Sequence, residues 1–516
     1  MPGNGNDPDA ATDRITFSER DAWKFPPGTV FVQHFDLPTA DGKSFRPIET
    51  RVLVRHTGEG VYGVSYRWNE AGDDASLVTK PELVTVSAGD SNGIDERKWQ
   101  FFDRQSCLAC HNANAGFILG VNARQLNGGD PHGGQLSELR RANYFRNTLS
   151  ENQLRQIDAL VAPDDADASL AARARSYLDV NCSACHREGG ARSNFFAEFH
   201  RTADETALAT KPMQSDFGIR LAQVVVRGDP FRSVLYYRMA KLGQGRMPFI
   251  GAHDLDREGL DLIRDWIETM RPVSKPEHAR PQWQDEAIAQ LMTNSVASDQ
   301  TSELIRSLLA DTRGAFALWQ AVYDDAISTA AQEEAIALAL SHESPHVRDL
   351  FEWFVDPRQR TSRLGINFDP HVVLQHEGDP VAGRKLYENA ELLSCKSCHD
   401  TPPGQPLIGP SIRGIGQKLD RAELLLHIMQ PSVRIAPEYT IWKVETMRGR
   451  AHCGLLVSQS DEEVVLREGA GQEHSIQRNA IDVKSKKPQS LMPENLLQGL
   501  TPVEAADLLA YLESLE

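Results

Sequence analysis

Three short segments of this chain share one pattern: CLACH at 107–111, CSACH at 182–186 and CKSCH at 395–399. They use six of the seven cysteines. Two thiols three positions apart can each bond one vinyl group of a single haem, and the histidine that follows can turn its imidazole onto the iron. A zinc ribbon needs CxxC motifs in pairs, and three motifs cannot pair off. A thioredoxin-type dithiol has no need of the adjacent histidine. Chance placement of histidine after all three pairs is on the order of 3 in 100,000 at this chain's histidine content. The sequence therefore predicts three covalently bound haem c groups, held by Cys107 and Cys110, Cys182 and Cys185, and Cys395 and Cys398. His111, His186 and His399 are the expected iron ligands. Cys453, in the apolar segment AHCGLLV, reads as a buried core thiol.

A chain of 516 residues is long enough for three or four domains. With 40% hydrophobic and 25% charged residues it has the balance of a chain that builds ordinary cores. The formal net charge of −17 argues against nucleic-acid binding. No apolar run approaches the ~18 residues of a membrane span, so no transmembrane segment is expected. The N-terminus, MPGNGNDPDAATDR, lacks a charged-then-apolar leader pattern. Haem attachment to such motifs takes place outside the cytoplasm, so a periplasmic or otherwise extracytoplasmic location is expected. Two readings of the N-terminus stay open: a leader already removed, or the C-terminal piece of a longer protein.

Along the chain, residues 1–15 read as a disordered lead-in and 16–100 as a β-rich domain, from alternation in TVFVQHFDL, ETRVLVRH and VYGVSYRWNE. Residues 101–165 hold the first motif. Residues 166–271 read as a cytochrome c module, with helix SLAARARSYLDVN running into CSACH, then GRMPF and the amphipathic DREGLDLIRDWIETM. Residues 272–372 read as a helical spacer. Residues 373–516 repeat the order helix, CxxCH, Met-Pro, helix, with a β insert at about 438–486. The closing helix carries its own start signal: Thr501 as N-cap, Pro502 at the first position and Glu504 two residues further on. The predicted fold is multidomain, mainly α cytochrome c-like modules, with an N-terminal β domain and a small β insert in the C-terminal module.

Met247 and Met492 each precede proline shortly before a final helix, and are the expected sixth ligands opposite His186 and His399. A thioether stabilises ferrous iron and raises the potential. No methionine follows Cys107 before the second motif, so His132, His34, Met213 or no residue at all completes the first site.

The segments GDPVAGRKLYENA, CKSCH, IGPSIRGIGQKLDRAELLLHIMQPSVRIAPEY, CGLLVSQSDEEVVLRE, SLMPENLL and LTPVEAADLLAYLESL resemble the haem-binding domain of Planctomycete/Verrucomicrobia-type cytochromes. FPPGTVFVQHFDLP, CLACHNANAGFILGVNARQLN, RARSYLDVNCSACHREGG and VVVRGDPFRSVLYYRMAKLGQGRMPF resemble the dihaem cytochrome region associated with soluble-type sugar (PQQ) dehydrogenases. The resemblance implies a periplasmic electron-accepting module for a dehydrogenase, quinone-dependent ones included. The dehydrogenase propeller itself is not part of this sequence.

The expected function is electron transfer from such a donor to a downstream acceptor, with catalysis by the chain itself the lesser reading. The alternative is a peroxidase-like haem enzyme reacting at the first haem.

Overall fold

The computed structural model describes residues 13–39, 44–56, 60–90, 93–108, 110–111, 115–127, 134–147, 149–187, 195–213, 215–251, 253–271, 282–293, 298–366, 368–388, 393, 395–399, 408–446, 451–467, 471, 473–487, 490–493 and 495–515. The chain divides into two compact units: Met1–Gly190 with Ala197–Thr202 and Gly251–Leu262, and Ala191–Phe196 with Ala203–Ile250 and Ile263–Glu516.

In the first unit, β1 (Val30–Pro38), β2 (Phe45–Arg55), β3 (Val61–Trp68) and β4 (Ala75–Leu77) form an antiparallel sheet in that order. A hairpin of β5 (Glu82–Asp90) and β6 (Gly93–Phe101) follows. The period-two pattern assigns the faces. Phe31 pairs with Leu53 and Leu53 with Gly63, while His34 pairs with Thr50 and Thr50 with Tyr66. These two rows are an odd number of residues apart, so they lie on opposite faces. The helices are α1 (Arg104–Leu108), α2 (Ala123–Leu126), α3 (Gly134–Arg141), α4 (Glu151–Gln156) and α5 (Leu170–Cys182). Of these, α2, α3 and α4 pack around a core of Ile15, Trp23, Phe25, Ile118, Leu136 and Phe145, against which Phe31 and Leu53 lean from the sheet. α6 (Val234–Ala240) belongs to the second unit, and α7 (Arg257–Thr269) is divided between the units after Leu262.

The second unit holds α8 (Gln282–Met292), α9 (Ser298–Leu309), α10 (Thr312–Tyr323), α11 (Thr329–Leu340) and α12 (Pro345–Phe351). Asp311, Ser328 and Ser344 cap the last three, each accepting a backbone N–H from the first turn. α10 is the centre of this group, with Phe316 and Trp319 at 0% exposure. Then come α13 (His371–Leu374), α14 (Pro380–Glu388), α15 (Lys396–His399), α16 (Arg421–Met429), the strands β7 (Ile441–Thr446) to β11 (Ile481–Lys487), and α17 (Pro502–Glu513). α17 starts with the capping box read from the sequence. It crosses α14 at Gly383, where a Cβ would run into the Asp507 carbonyl. β7, β8 (Ala451–Gln459), β9 (Glu463–Arg467), β10 (Glu473–Gln477) and β11 form one sheet ordered β10-β9-β8-β7-β11. The side chain of Cys453, on β8, lies outside the described residues.

The mainly α architecture expected from the sequence does not hold. Helix makes up 39% and strand 19% of the structure, and the sheets are antiparallel. The strands are not trimmings on helical modules. The hairpin side has its own core of Leu37, Ile48, Val78, Val86 and Phe101, and the C-terminal sheet has one of Val444, Val464, Leu466 and Ile476. Helices around the first motif are only one or two turns long, too short to dominate the unit that contains them. Among the described residues no helix is long and apolar enough to cross a membrane.

Candidate haem sites

At the first motif, α1 brings Cys107 to the sheet. Asp103 Oδ1 accepts the backbone N–H of Ser106 at 2.9 Å and its hydroxyl at 2.6 Å, which fixes the helix start. Cys110 and His111 both bond back to the Cys107 carbonyl, at 3.3 and 3.0 Å, so the two thiols and the imidazole occupy one tight turn. Gly63 on β3 is a requirement of close approach: a Cβ there would stand 2.8 Å from Cys107 Sγ. Gly116 and Phe117 both have left-handed backbones, φ 74° and 66°. This turn aims the Phe117 carbonyl at the imidazole, and His111 Nδ1 donates to it at 2.8 Å. A non-glycine residue held there is a strained feature of the kind that gathers at functional sites.

At the second motif, Ser169 caps α5 and the helix ends on Cys182. Cys185 and His186 bond back to the Cys182 carbonyl at 3.1 and 2.8 Å. The His186 carbonyl accepts from Ala197 N at 2.9 Å. α5 is locked in place one turn earlier. Asp179 forms a buried ion pair with Arg124 of α2 at 3.0 Å and accepts from Phe199 N at 2.7 Å. The segment after the first motif is thereby tied to the helix that carries the second. Cys110 and Cys185 lie close enough for charge on one to oppose charge on the other. Residues 188–194 lie outside the described residues.

At the third motif, Cys398 and His399 bond back to the Cys395 carbonyl, both at 3.1 Å, and Gly409 N donates to the Cys398 carbonyl at 3.0 Å. His399 Nδ1 donates to the Pro410 carbonyl at 2.8 Å. A Cβ on Gly409 would stand 2.9 Å from imidazole Cε1, so the ring lies directly on the backbone. Cys395 and Met492 lean on the same core, formed by α16 and α17 through Leu424, Leu425, Leu508 and Leu509.

Met247 is half-buried in the second unit, its N–H bonded to the Arg238 carbonyl at 2.9 Å. The loop before it is tied down by Lys241, 0% exposed, whose ammonium donates to the Leu242 and Gln244 carbonyls and to Asp349, at 2.6, 2.6 and 2.8 Å. Gly499, seven residues past Met492, meets this same loop: a Cβ there would lie 2.7 Å from Gln244 N and 2.6 Å from its Cα.

Among the residues offered for the first site's sixth ligand, His34 lies on the sheet face opposite Cys107, exposed, with Nδ1 bonded to Thr50 Oγ1 at 2.8 Å. That position excludes it. Met213 is 40% exposed in the second unit, and His132 lies outside the described residues.

Burial dominates the electrostatics. It pushes the Cys182 thiol up to about 12, helped by charge on Cys185 and Asp179, and Cys395 likewise up to about 12. Cys110 is pushed up to about 11, first by burial and then by Cys185 and Cys107. His111 and His399 are held below the usual imidazole range by burial, partly offset by their carbonyl hydrogen bonds. A neutral imidazole that donates through Nδ1 keeps its Nε2 lone pair for a metal.

The donor chemistry at these sites fits a covalently tethered haem. All six motif cysteines are free of disulfides. Each pair sits on one turn with its histidine, and two of the three imidazoles are oriented by carbonyls that leave Nε2 available. Sequence reasoning missed those carbonyls, the glycine shelves and the Glu49–Arg51 pair on β2. Only the parity of Glu49, Arg51 and Leu53 hinted that they share a face. No protein-family model matches this chain, and no curated protein matches it.

Proposed function

We propose that the chain is a trihaem c-type cytochrome that transfers electrons, taking them from an extracytoplasmic dehydrogenase and passing them to a downstream acceptor. The observation that carries this reading is the shared treatment of His111 and His399. Each imidazole is fixed by a backbone carbonyl at 2.8 Å through Nδ1, in a turn that also presents two free thiols. A redox dithiol has no use for such an orienting bond, whereas an axial iron ligand does.

Haem, once attached, supplies reversible one-electron chemistry. The chain's own residues do the rest. The cysteine pairs fix position, the carbonyls of Phe117 and Pro410 select the tautomer, and the cores around Phe117 and Met492 exclude water. Met247 and Met492 are the proposed sixth ligands of the second and third haems. The tie between α2 and α5 through Arg124 and Asp179 supports direct exchange between the first two sites.

The deciding experiment is intact-mass and pyridine-haemochrome analysis of the chain matured in a host with a full cytochrome-assembly system. Three haems per chain are expected. The bare polypeptide mass, or zinc in place of haem, ends the proposal.

A further inference from the structure

A carboxylate with no solvent exposure stands on the β2 face that backs the first motif. Glu49 is 0% exposed. It receives Arg51 Nε at 2.9 Å and Nη2 at 2.8 Å, Ser65 Oγ at 2.7 Å and Trp99 Nε1 at 3.0 Å. A buried carboxylate needs this degree of saturation. The other half of the pair is built differently. The Arg51 side chain is 30% exposed, and its guanidinium lies over the rings of Phe35 and Phe102, 4.5 and 4.9 Å from their centroids. Three groups, the Glu49 carboxylate and the two rings, fix its plane, and Nη1 makes no hydrogen bond among the described residues.

Register decides what this cation faces. Arg51 pairs with Ser65, and two residues on, Leu53 pairs with Gly63, the glycine on which Cys107 Sγ rests. Arg51 is therefore the next same-face position to the one that carries the motif. The strand position that carries the motif is thus followed, on the same face, by an ion pair whose buried member is Glu49 and whose partly exposed member is Arg51.

We propose that Arg51 is the positioning residue of the first haem site: Glu49 holds its guanidinium one same-face step from the strand position on which Cys107 rests, so that the remaining donors pair with a propionate carboxylate of the haem attached there. This rests on the reading of residues 107–111 as a haem-attachment motif. A planar fork with unspent donors suits a carboxylate, and a lysine would supply charge without that geometry.

The test uses the full chain matured with haem, read by intact mass and by optical and EPR redox titration. Arg51→Gln is expected to keep three haems and to move the first haem's midpoint to lower potential, because an uncompensated carboxylate stabilises ferric iron. Glu49→Gln frees the cation and is expected to move the same midpoint the other way. Arg51→Lys restores part of the Arg51→Gln shift. The second and third midpoints stay in place. In the Cys107→Ala/Cys110→Ala protein, which carries two haems, Arg51→Gln is silent. Unmoved midpoints, or shifts of one sign in both variants, overturn the proposal. If Arg51→Gln does not fold, Glu49→Gln and Arg51→Lys decide alone, and a Glu49→Gln midpoint equal to wild type refutes it. A wild-type mass lacking haem at Cys107 and Cys110 is a different result, the failure of the motif reading itself.

Discussion

His399 packs against the backbone of Gly409 and donates its Nδ1 proton to the very next carbonyl, that of Pro410, at 2.8 Å. Ring and shelf are set together: the glycine supplies the space and the following carbonyl the orientation. Gly409→Val should therefore displace the imidazole. We expect the variant to lose the third haem, or to lose normal axial ligation there, while the first two motifs load fully. Mass analysis with EPR of the ferric protein checks this, and an unaltered third haem would contradict it.

Arg124 and Asp179 form an ion pair at 3.0 Å with side chains 4% and 2% exposed. Removing one partner leaves a buried charge uncompensated, at a cost of about 3–5 kcal/mol. Arg124→Met should lower the urea midpoint accordingly. Arg124→Met/Asp179→Leu should recover much of the loss, although Phe199 N then loses its acceptor. A single variant as stable as wild type would show that the tie between α2 and α5 does not matter.

Met247 and Met492 are each expected to ligate one iron. Met247→Ala and Met492→Ala should each drop a single midpoint to lower potential, since thioether ligation favours the ferrous state. Two different haems must respond. If one of these variants leaves all three midpoints untouched, that methionine is core filling only.

The buried thiols give a pH dependence to the chain before haem attachment. In the folded state Cys182 and Cys395 ionise only at about 12, against an ordinary value near 9. Their folded values are raised, so this contribution to stability is fully present below about pH 9. It is lost as the pH climbs from there toward 12, because the unfolded chain releases its protons first. Haem-free protein should lose stability across that window in urea titrations. The mature protein, with thioethers in place of thiols, should lose less. Equal alkaline losses in the two forms would refute this.

Much of the site was legible in the sequence because its chemistry is local. The CxxCH spacing, the capping box at Thr501 and the strand alternation each depend on neighbours within a few residues. The overall balance of helix and strand was misread because the helix, CxxCH, Met-Pro, helix order at 166–271 and 373–516 was given more weight than the strands, which hold cores of their own. The Phe117 carbonyl was not legible, since two successive left-handed residues, one of them phenylalanine, leave no composition signal. Nor was the placement of Arg51, which depends on how three strands are registered. His34 looked eligible in the sequence, and only the parity of β1 against β2 turned it away from the first motif.

The contact of Gly499 with Gln244 has a bearing on how this chain could be divided. It makes the floor beneath the Met247 loop out of residues from the far C-terminus. A shortened protein ending ahead of residue 373 would keep the second CxxCH and Met247 yet remove that support. The C-terminal stretch cannot be treated as a detachable cargo: cutting it away alters a neighbour encoded more than two hundred residues upstream.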